Sequence, residues 1–451
     1  MSYTFLTFAE AKNELAQRLY DAGKVFFTDA ELGVYIRGAM QTFNALARFY
    51  RQEFVFNTIA NQTWYDLAST SDCPNTTRPM DTTDADVLSI IEYHLLEPQT
   101  PTYPLAWTGS LQFNATDLLN AIQQTRDEIL SETGCTLVNS QVAALPGRTF
   151  LPESLLDLRR VAWIPATSLG YSLNILFPAD LWSTQVFEPG FPQQASGIPQ
   201  MYRRSTEPPL GFDVDVQPIV PGQYDILTVD AGATLSQLQS TVIPIPNDWI
   251  WVLKWGAMAQ LFGRNNVSAD PLRYRYCQMR YKLGLAALRQ APALLGARIN
   301  NVPVIIDAVT NADFYNANWQ GVAVSTPDAA YYAGLNLVAL NPTPNSALTS
   351  ATASVISNMP LPSVDADTIQ LGRDDIGAVL NEAQHEAMIK CGGTEFTETF
   401  RLHGDFLRRC TLYNSKLDAM SSFLEFLDGK GQEDDRIHPT FQGVSPATAE
   451  E

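Results

Sequence analysis

The sequence predicts an α+β protein in which helical hairpins and bundles carry an inserted β-rich domain. Three observations support this class. Segments with helical periodicity begin at helix-capping residues, a Pro- and Gly-rich region at 159–229 shows the alternation of strands, and the order helix, β-region, helix recurs along the chain. The recurrence predicts an internally repeated helix-β-helix organisation.

The chain has 451 residues, enough for about three structural units at usual domain sizes. Changes in composition place the boundaries. The predicted units are a helical unit with short strands at 1–110, a unit of helix, β-domain and helical hairpin at 111–295, C-terminal strands with two long helices at 296–428, and an extended acidic tail at 429–451.

Two capping boxes mark the first helices. In residues 7–10 (TFAE) and 28–31 (TDAE), each threonine and the glutamate three positions later can satisfy each other's backbone N–H groups. A strand-like segment follows at 54–67, and a further helix is predicted from about Asp84 to Leu96.

The second unit begins with an echo of the first. Residues 113–118 (FNATDL) resemble residues 27–32 (FTDAEL), and each precedes a long amphipathic helix. The second of these helices is predicted to stop at Gly134, before the β-region at 159–229.

A helical hairpin at 247–290 closes the second unit. Its first helix is predicted to start at Asn247 or Asp248 as N-cap and to end at Gly263 in the left-handed conformation. Only Lys254 and Gln260 are strongly polar in between, so this helix is either deep in a core or clamped by a second subunit. Asp270 and Pro271 fit the N-cap and first position of the second helix.

The hairpin is basic although the chain has a net charge of −19. Seven basic residues stand against the single acid Asp270 from 254 to 289. These cations can pair with acids of their own chain, dock on an acidic surface of a neighbour, or contact phosphates. The acidic total charge disfavours nucleic acid, and the first two alternatives stay open.

The third unit contains strand candidates at 302–306 and 346–356. A helix is predicted to open at Asp374 and Asp375 and to end at Cys391-Gly392-Gly393, before a second helix at 394–428. The tail at 429–451 has a disordered composition, and we expect a neighbouring subunit to hold it.

The sequence carries no signature of catalysis. Phosphate-binding loops and the GxSxG elbow are absent, and His385-Glu386 lacks the second histidine of HExxH, which suggests a surface or interface role for His385. Asp213 and Asp215 could bind a cation or act as an acid and base pair, but alternation on a solvated strand explains them more simply. We therefore predict no enzymatic activity, no catalytic residue, no metal and no cofactor.

The cysteines and the apolar segments indicate a cytoplasmic place of synthesis. The five cysteines are odd in number without CxxC spacing, which indicates free thiols in a reducing compartment. No secretory signal and no run of 18 apolar residues is present, so we expect no membrane association.

Two segments resemble tailed-bacteriophage head-to-tail connector proteins, also called adaptor or neck proteins. The first is residues 243–284, which contain KWGAMAQLFGR and RYRYCQMRY, and the second is the helical segment 366–393. The resemblance implies a ring of identical subunits, often twelve, that joins the portal to the tail tube or nozzle and lines a passage for DNA. It also implies a virion location after assembly in the host cytoplasm and only transient, non-specific proximity to genomic DNA.

Two alternatives stay open beside the connector: another tail, baseplate or attachment protein of the virion, and a carbohydrate-active hydrolase with paired carboxylates. For the ring, the predicted interface residues combine the basic hairpin, its tryptophans and the tail. They are Lys254, Arg264, Arg273, Arg275, Arg280, Lys282, Trp251, Trp255, His438 and Phe441.

Overall fold

The fold is known for most of the chain from a computed structural model. The described residues are 5–60, 62–67, 82–95, 115–145, 147–166, 174–180, 196–205, 210–235, 241–264, 270–291, 294–300, 302–308, 329–335, 337–345 and 351–415, with the single positions 113, 182, 186, 327 and 417.

Helices and strands are both abundant, and the predicted α+β class is confirmed. The helices are α1 (Phe8–Arg18), α2 (Asp29–Ala47), α3 (Asp84–Leu95), α4 (Ala115–Thr133), α5 (Ile250–Phe262), α6 (Pro271–Arg289), α7 (Arg373–Met388), α8 (Gly393–Glu398) and α9 (Phe400–Tyr413). The strands are β1 (Leu6–Thr7), β2 (Arg51–Phe56), β3 (Trp64–Asp66), β4 (Leu137–Ala143), β5 (Thr149–Phe150), β6 (Leu155–Pro165), β7 (Asn174–Ile175), β8 (Phe177–Ala179), β9 (Met201–Arg204), β10 (Gly211–Val214), β11 (Gly222–Asp230), β12 (Leu294–Ile299), β13 (Val302–Pro303), β14 (Ile305–Ala308), β15 (Ala329–Ala333), β16 (Leu337–Asn341), β17 (Ala351–Ile356) and β18 (Thr368–Ile369).

Strands β4 to β11 form a unit between α4 and α5, which we call the inserted β unit. Its two sheets have the orders β4-β11-β6-β7 and β5-β10-β9-β8. Tyr224 of the central strand β11 lies opposite Trp163 of β6 and Val142 of β4. Aromatic side chains including Trp163, Tyr202, Phe212 and Tyr224 fill the core of this unit.

The other large sheets form a unit that we call the split β unit, because its strands come from distant parts of the chain. Its sheet orders are β13-β12-β17-β2 and β14-β15-β16-β3. Strand β2 pairs antiparallel with β17, and β3 pairs with β16. The two β units meet at a small apolar cluster with Trp64, Leu227 and Leu337, where the Arg160 guanidinium lies 4.9 Å from the Trp64 ring centre.

Helices from all three predicted units share one hydrophobic core. It contains Phe43 of α2, Trp255 of α5, Leu380 of α7 and Phe406 of α9. The predicted boundaries at 110/111 and 295/296 therefore do not separate hydrophobic cores. The physical reason is that helices distant in sequence, such as α2 with α7 and α2 with α9, bury their apolar faces against each other.

The helix-start signals were largely correct. The capping box at Thr7 and Glu10 forms in both directions, and Asp270 accepts hydrogen bonds from the N–H groups of Leu272 and Arg273 at the start of α6. Thr28 likewise accepts from the N–H of Glu31.

The Glu31 carboxylate does not return to the backbone as a capping box requires. Glu31 instead accepts from Tyr35 Oη at 2.7 Å and pairs with Lys390 at 3.0 Å. The Glu31 carboxylate thus serves both the buried Tyr35 hydroxyl and the half-buried Lys390 ammonium, and these two contacts replace the capping hydrogen bond.

The predicted N-cap of the hairpin was wrong. Residues 247–249 form a turn of 3₁₀ helix without a side-chain cap before α5 begins. The Asn247 side chain accepts from Thr82, and Asp248 accepts from the N–H of Met359. These side chains fasten the start of the hairpin to other segments.

Two predicted helix ends also need correction. Gly263 has φ −82°, so it is right-handed rather than left-handed. The helix predicted at 394–428 is interrupted at Thr399 between α8 and α9, and residues 418–451 lie outside the described residues. Gly134, by contrast, ends α4 with φ +57°, as predicted.

Candidate functional site

Helix α5 is enclosed by its own chain. All its residues except the half-buried Gln260 are buried, and its neighbours are α2, α3, α4 and α6. Trp251 is 2% exposed and Trp255 is 0% exposed. Their predicted role in contact with a neighbouring subunit is therefore wrong, because the core of the single chain already covers both rings.

Lys254 and Arg280 are also buried, at 3% and 0% exposure. Lys254 Nζ lies 2.8 Å from Glu386 Oε2, and Arg280 Nη2 lies 2.7 Å from Glu382 Oε1. The prediction that these two cations dock on a partner is corrected accordingly: desolvation requires an anion close by, and α7 supplies it.

These side chains belong to a buried cluster between α3, the hairpin, α7 and α9. Its two cations and two carboxylates balance in charge, and we call it the charge cluster. It also contains three histidines and a tyrosine. Its members are Lys254, Arg280, Glu382, Glu386, His94, His385, His403 and Tyr276.

One chain of hydrogen bonds in the cluster has a fixed direction. Arg280 Nη1 donates to Tyr276 Oη at 2.8 Å, so the tyrosine hydroxyl donates onward to His385 Nε2 at 2.5 Å. His385 Nδ1–H then donates to Thr399 Oγ1 at 2.7 Å, and Thr399 donates to the carbonyl of Phe396 at 2.6 Å. With a pure donor at its start and a pure acceptor at its end, this chain matches a neutral His385 that carries its proton on Nδ1.

The pKa values follow from burial and pairing. Burial lowers the pKa of His385 and of His94 well below their ordinary value, with nearby positive charge acting in the same direction. Burial acts to raise the pKa of Glu382, but the Arg280 charge and the hydrogen bond from His403 Nδ1 at 2.6 Å outweigh it and lower the pKa. The cluster thus favours an ionised Glu382 beside neutral histidines.

The sequence positions of the cluster explain how it forms. Glu382, His385 and Glu386 are spaced i, i+3 and i+4 on α7, and Tyr276 and Arg280 are spaced i, i+4 on α6. Each set therefore lies on one helix face. The predicted surface or interface position of His385 was wrong, since His385 is 0% exposed. The missed signal was Lys254, a lone cation in an apolar helix that requires a buried acid.

The remaining basic residues of the hairpin lie nearer the surface. Arg264 pairs with Asp117 at 2.7 Å, and Arg273 lies 3.4 Å from Asp270. Within the described chain, half-buried Arg275 and exposed Lys282 have no ion pair. These four residues stay predicted interface residues, whereas His438 and Phe441 lie outside the described residues.

The paired carboxylates of the β-region have separate partners. Asp213 pairs with Arg148 at 3.0 Å, and Asp215 accepts from the N–H of Gln200 at 3.0 Å. Among the described residues, no group of three or more His, Cys, Asp and Glu side chains is arranged to hold a metal ion.

The neutral histidines give the first testable prediction. Their folded pKa lies below the unfolded value of about 6.5, so the unfolded chain takes up protons first as the pH falls. Stability is fully present above pH 6.5 and is lost below it, by up to about 1.4 kcal/mol per pH unit for each histidine.

Urea unfolding at pH 7.0 and pH 5.5 measures this loss. The His94→Gln variant should show a shallower pH dependence than the parent chain, because it has one titrating histidine fewer. Equal unfolding free energies of the parent chain at both pH values would contradict the burial of these histidines in the neutral form.

No protein-family model matches the chain, and no curated protein matches it in a sequence comparison. None of the helices in the described residues is long and apolar enough to cross a membrane.

Proposed function

We propose that this protein is a ring-forming structural protein of the virion neck, a head-to-tail connector that joins the portal to the tail and lines a DNA passage. The resemblance at 243–284 and 366–393 supports the proposal. These two segments are distant in sequence but pack on each other, since they contain the α5–α6 hairpin and α7 with its paired glutamates. The connector-like segments thus form one structural element.

An internal repeat is part of the proposal. Helix α4, the inserted β unit and the α5–α6 hairpin would form one copy. Helix α2, the split β unit and α7 to α9 would form the other. In support, α2 and α4 each have 19 residues, and each β unit contains two four-stranded sheets in the described residues. A duplicated unit offers two similar but distinct surfaces, which suits a head-to-tail ring interface.

The observation that best supports assembly is the exposure of apolar side chains on the loop between α1 and α2. Tyr20 is 98% exposed, Val25 is 86% exposed and Phe26 is 52% exposed. The loop is nevertheless well fixed, because Asp21 accepts from the N–H groups of Val25, Phe26 and Phe27 at 2.8–3.0 Å. Apolar side chains on a preorganised loop lose little entropy when a partner covers them.

Other large apolar side chains stand exposed on the β units. They include Phe150 and Phe177 on opposite edges of one sheet of the inserted β unit and Ile305 on the split β unit, at 61%, 52% and 75% exposure. Scattered exposed residues are ordinary, but edge strands with exposed aromatic rings favour pairing with another chain. Together with the loop, they favour an assembly of several chains.

In the proposed assembly, copies of the chain, twelve by the resemblance, form a ring between the portal and the tail tube or nozzle. The ring belongs to the virion and assembles in the host cytoplasm. Its contact with genomic DNA is transient and non-specific, because a chain of net charge −19 repels phosphate and lets the genome slide.

Negative-stain electron microscopy of the full chain, with and without a portal complex, tests the proposal. We expect closed rings or ring formation on the portal. Monomers that bind neither portal nor tail components would overturn it.

The loop gives a second testable prediction. The double variant Tyr20→Asn with Val25→Ser should weaken ring formation at least tenfold, measured by mass photometry over a dilution series. Asparagine is chosen because Tyr20 has φ +56°, a conformation that asparagine tolerates. Since both side chains are exposed, the unfolding free energy should change by less than about 0.5 kcal/mol. Unchanged assembly would exclude this loop from the interface.

A further inference from the structure

Strand β4 (Leu137–Ala143) is the least protected sheet edge of the described chain. It lies at the margin of its sheet, where β11 is its strand neighbour on one side and no described strand pairs with the other. None of its seven residues is buried, and its sequence LVNSQVA contains neither a charge nor a proline. Short length, charged residues and proline are the usual features that keep an edge strand from pairing with another chain.

The other edge strands of the described sheets have such features. Strand β2 contains Arg51 and Glu53, β8 contains Pro178, and β14 contains Asp307. Strand β3 has three residues, and β1, β5, β7, β13 and β18 have two residues each. Strand β4 therefore combines the greatest length with the absence of any feature that prevents pairing.

The backbone groups of β4 point in alternating directions. Directly after the strand, the N–H of Ala144 donates to the carbonyl of Gly222 at 3.0 Å, and β4 pairs with β11 in this same register. Because hydrogen-bonded pairs alternate along an antiparallel ladder, the even-numbered residues of β4 bond to β11 and the odd-numbered residues point away from it. The carbonyl of Cys135 follows this rule, since it accepts from the N–H of Leu335 at 2.7 Å. In the described chain, the outward N–H and C=O of Asn139 have no backbone partner.

The sequence of β4 is nearly symmetric about Ser140. Similar side chains lie at equal distances on its two sides, in the pairs Val138 and Val142, Asn139 and Gln141, and Leu137 and Ala143. If two copies of β4 pair antiparallel with Ser140 opposite Ser140, the members of each pair face each other across the two strands. Valine then lies opposite valine and amide opposite amide, and no like charges meet.

The backbone directions fit the same register. Asn139 of one copy faces Gln141 of the other, so residues whose N–H and C=O point outward meet as hydrogen-bonded pairs. A shift by one residue would instead set outward groups against groups that already bond to β11. The pairing also covers Val138, which is 41% exposed, with Val142 of the second copy.

We propose that β4 pairs antiparallel with β4 of a second copy of this chain, about a twofold axis at Ser140. The contact joins two four-stranded sheets of the order β4-β11-β6-β7 into one continuous sheet. It is isologous, whereas the proposed ring uses a head-to-tail contact between different patches. The twofold contact therefore goes beyond the ring and does not depend on it.

Disulfide trapping tests the register. The full chain is used with Cys73→Ser and Cys391→Ser, which leaves cysteines that are buried. In the proposed pair, the two Ser140 Cα atoms lie about 4.5 Å apart, within the range that a disulfide spans. Ser140→Cys should thus form a covalent dimer in a glutathione buffer. The matched variant Gln141→Cys should form at least tenfold less, because its diagonal distance of roughly 7–8 Å is too long.

Sedimentation velocity of chains without added cysteines measures the contact itself. Val138→Lys should weaken dimerisation at least tenfold, because pairing would bury the ammonium group against Val142 of the second copy. Val55→Lys is the matched control: Val55 is 50% exposed on the edge strand β2, and its change should leave dimerisation as in the parent. Both variants alter exposed side chains, and urea unfolding confirms that each is folded.

Three results would overturn the proposal: a parent chain that remains monomeric, equal disulfide formation by Ser140→Cys and Gln141→Cys, or equal dimerisation of Val138→Lys and Val55→Lys. Electron microscopy reads the ring separately. Rings without a Ser140→Cys disulfide would exclude the twofold contact and leave the ring intact. A Ser140→Cys dimer in chains that form no ring would support the twofold contact and count against the ring.

Discussion

Arg280→Met is expected to destabilise the protein by about 3–5 kcal/mol, the cost of removing one partner from a buried ion pair. The change leaves Glu382 buried without its closest cation and deprives Tyr276 Oη of a donor. It also removes the guanidinium that lies 4.7 Å from the Trp255 ring centre. Urea unfolding at pH 7 measures the loss.

Two variants control this prediction. Arg280→Met combined with Glu382→Gln should recover part of the stability, because the uncompensated charge is removed together with its partner. Arg408→Met breaks an exposed pair with Asp405 and should cost less than about 1 kcal/mol. Equal losses for Arg280→Met and Arg408→Met would show that the cluster is not a buried ion-pair network.

Gly256→Ala is expected to destabilise the protein by about 1–3 kcal/mol through overpacking. A Cβ atom at Gly256 would lie 2.3 Å from Thr125 Cγ2 and 2.8 Å from Tyr281 Cδ2, so α5 could not stay in close contact with α4 and α6. The loss should appear although alanine is the better helix former by about 1 kcal/mol. Thermal and urea unfolding both measure it.

Gly377→Ala in α7 is the matched control. A Cβ atom there meets no atom within 4 Å, so the change should stabilise the protein by about 0.5–1 kcal/mol through helix propensity alone. If Gly256→Ala and Gly377→Ala shift the unfolding free energy in the same direction, the close contact of Gly256 with α4 and α6 does not determine the effect of adding a Cβ atom there.

Local signals in the sequence predicted local structure well. Thr7, Asp270 and Gly134 act at helix ends as predicted, because caps depend on residues within one turn. Local signals failed where a side chain binds a partner in a distant segment instead of capping its own helix. Asp248 accepts from the N–H of Met359 and Glu31 pairs with Lys390, so both leave their predicted capping roles for partners on other segments.

Only part of the candidate site could be predicted from the sequence, because its members come from distant segments of the chain. An apolar helix with one lysine requires an enclosing environment, and the sequence showed that requirement. It did not show that the enclosure comes from the same chain, because Lys254 and Glu386 are 132 residues apart. The predicted interface residues therefore include Lys254 and Arg280, although these two cations neutralise glutamates inside the core, as the alternative of pairing within the chain predicts.

The split β unit has a consequence for the order of folding. Glu53 on β2 and Ser354 on β17 hydrogen-bond across 301 residues, so closing that loop in an unstructured chain costs about 5 kcal/mol in entropy. Helix α6 lies against α4, with Arg289 at the end of α6 paired to Glu132 near the end of α4, and each of these 19-residue helices is roughly 28 Å long. During synthesis, strands β2 and β3 emerge before their partner strands β17 and β16. Once the intervening unit has folded, it brings these partners closer to β2 and β3.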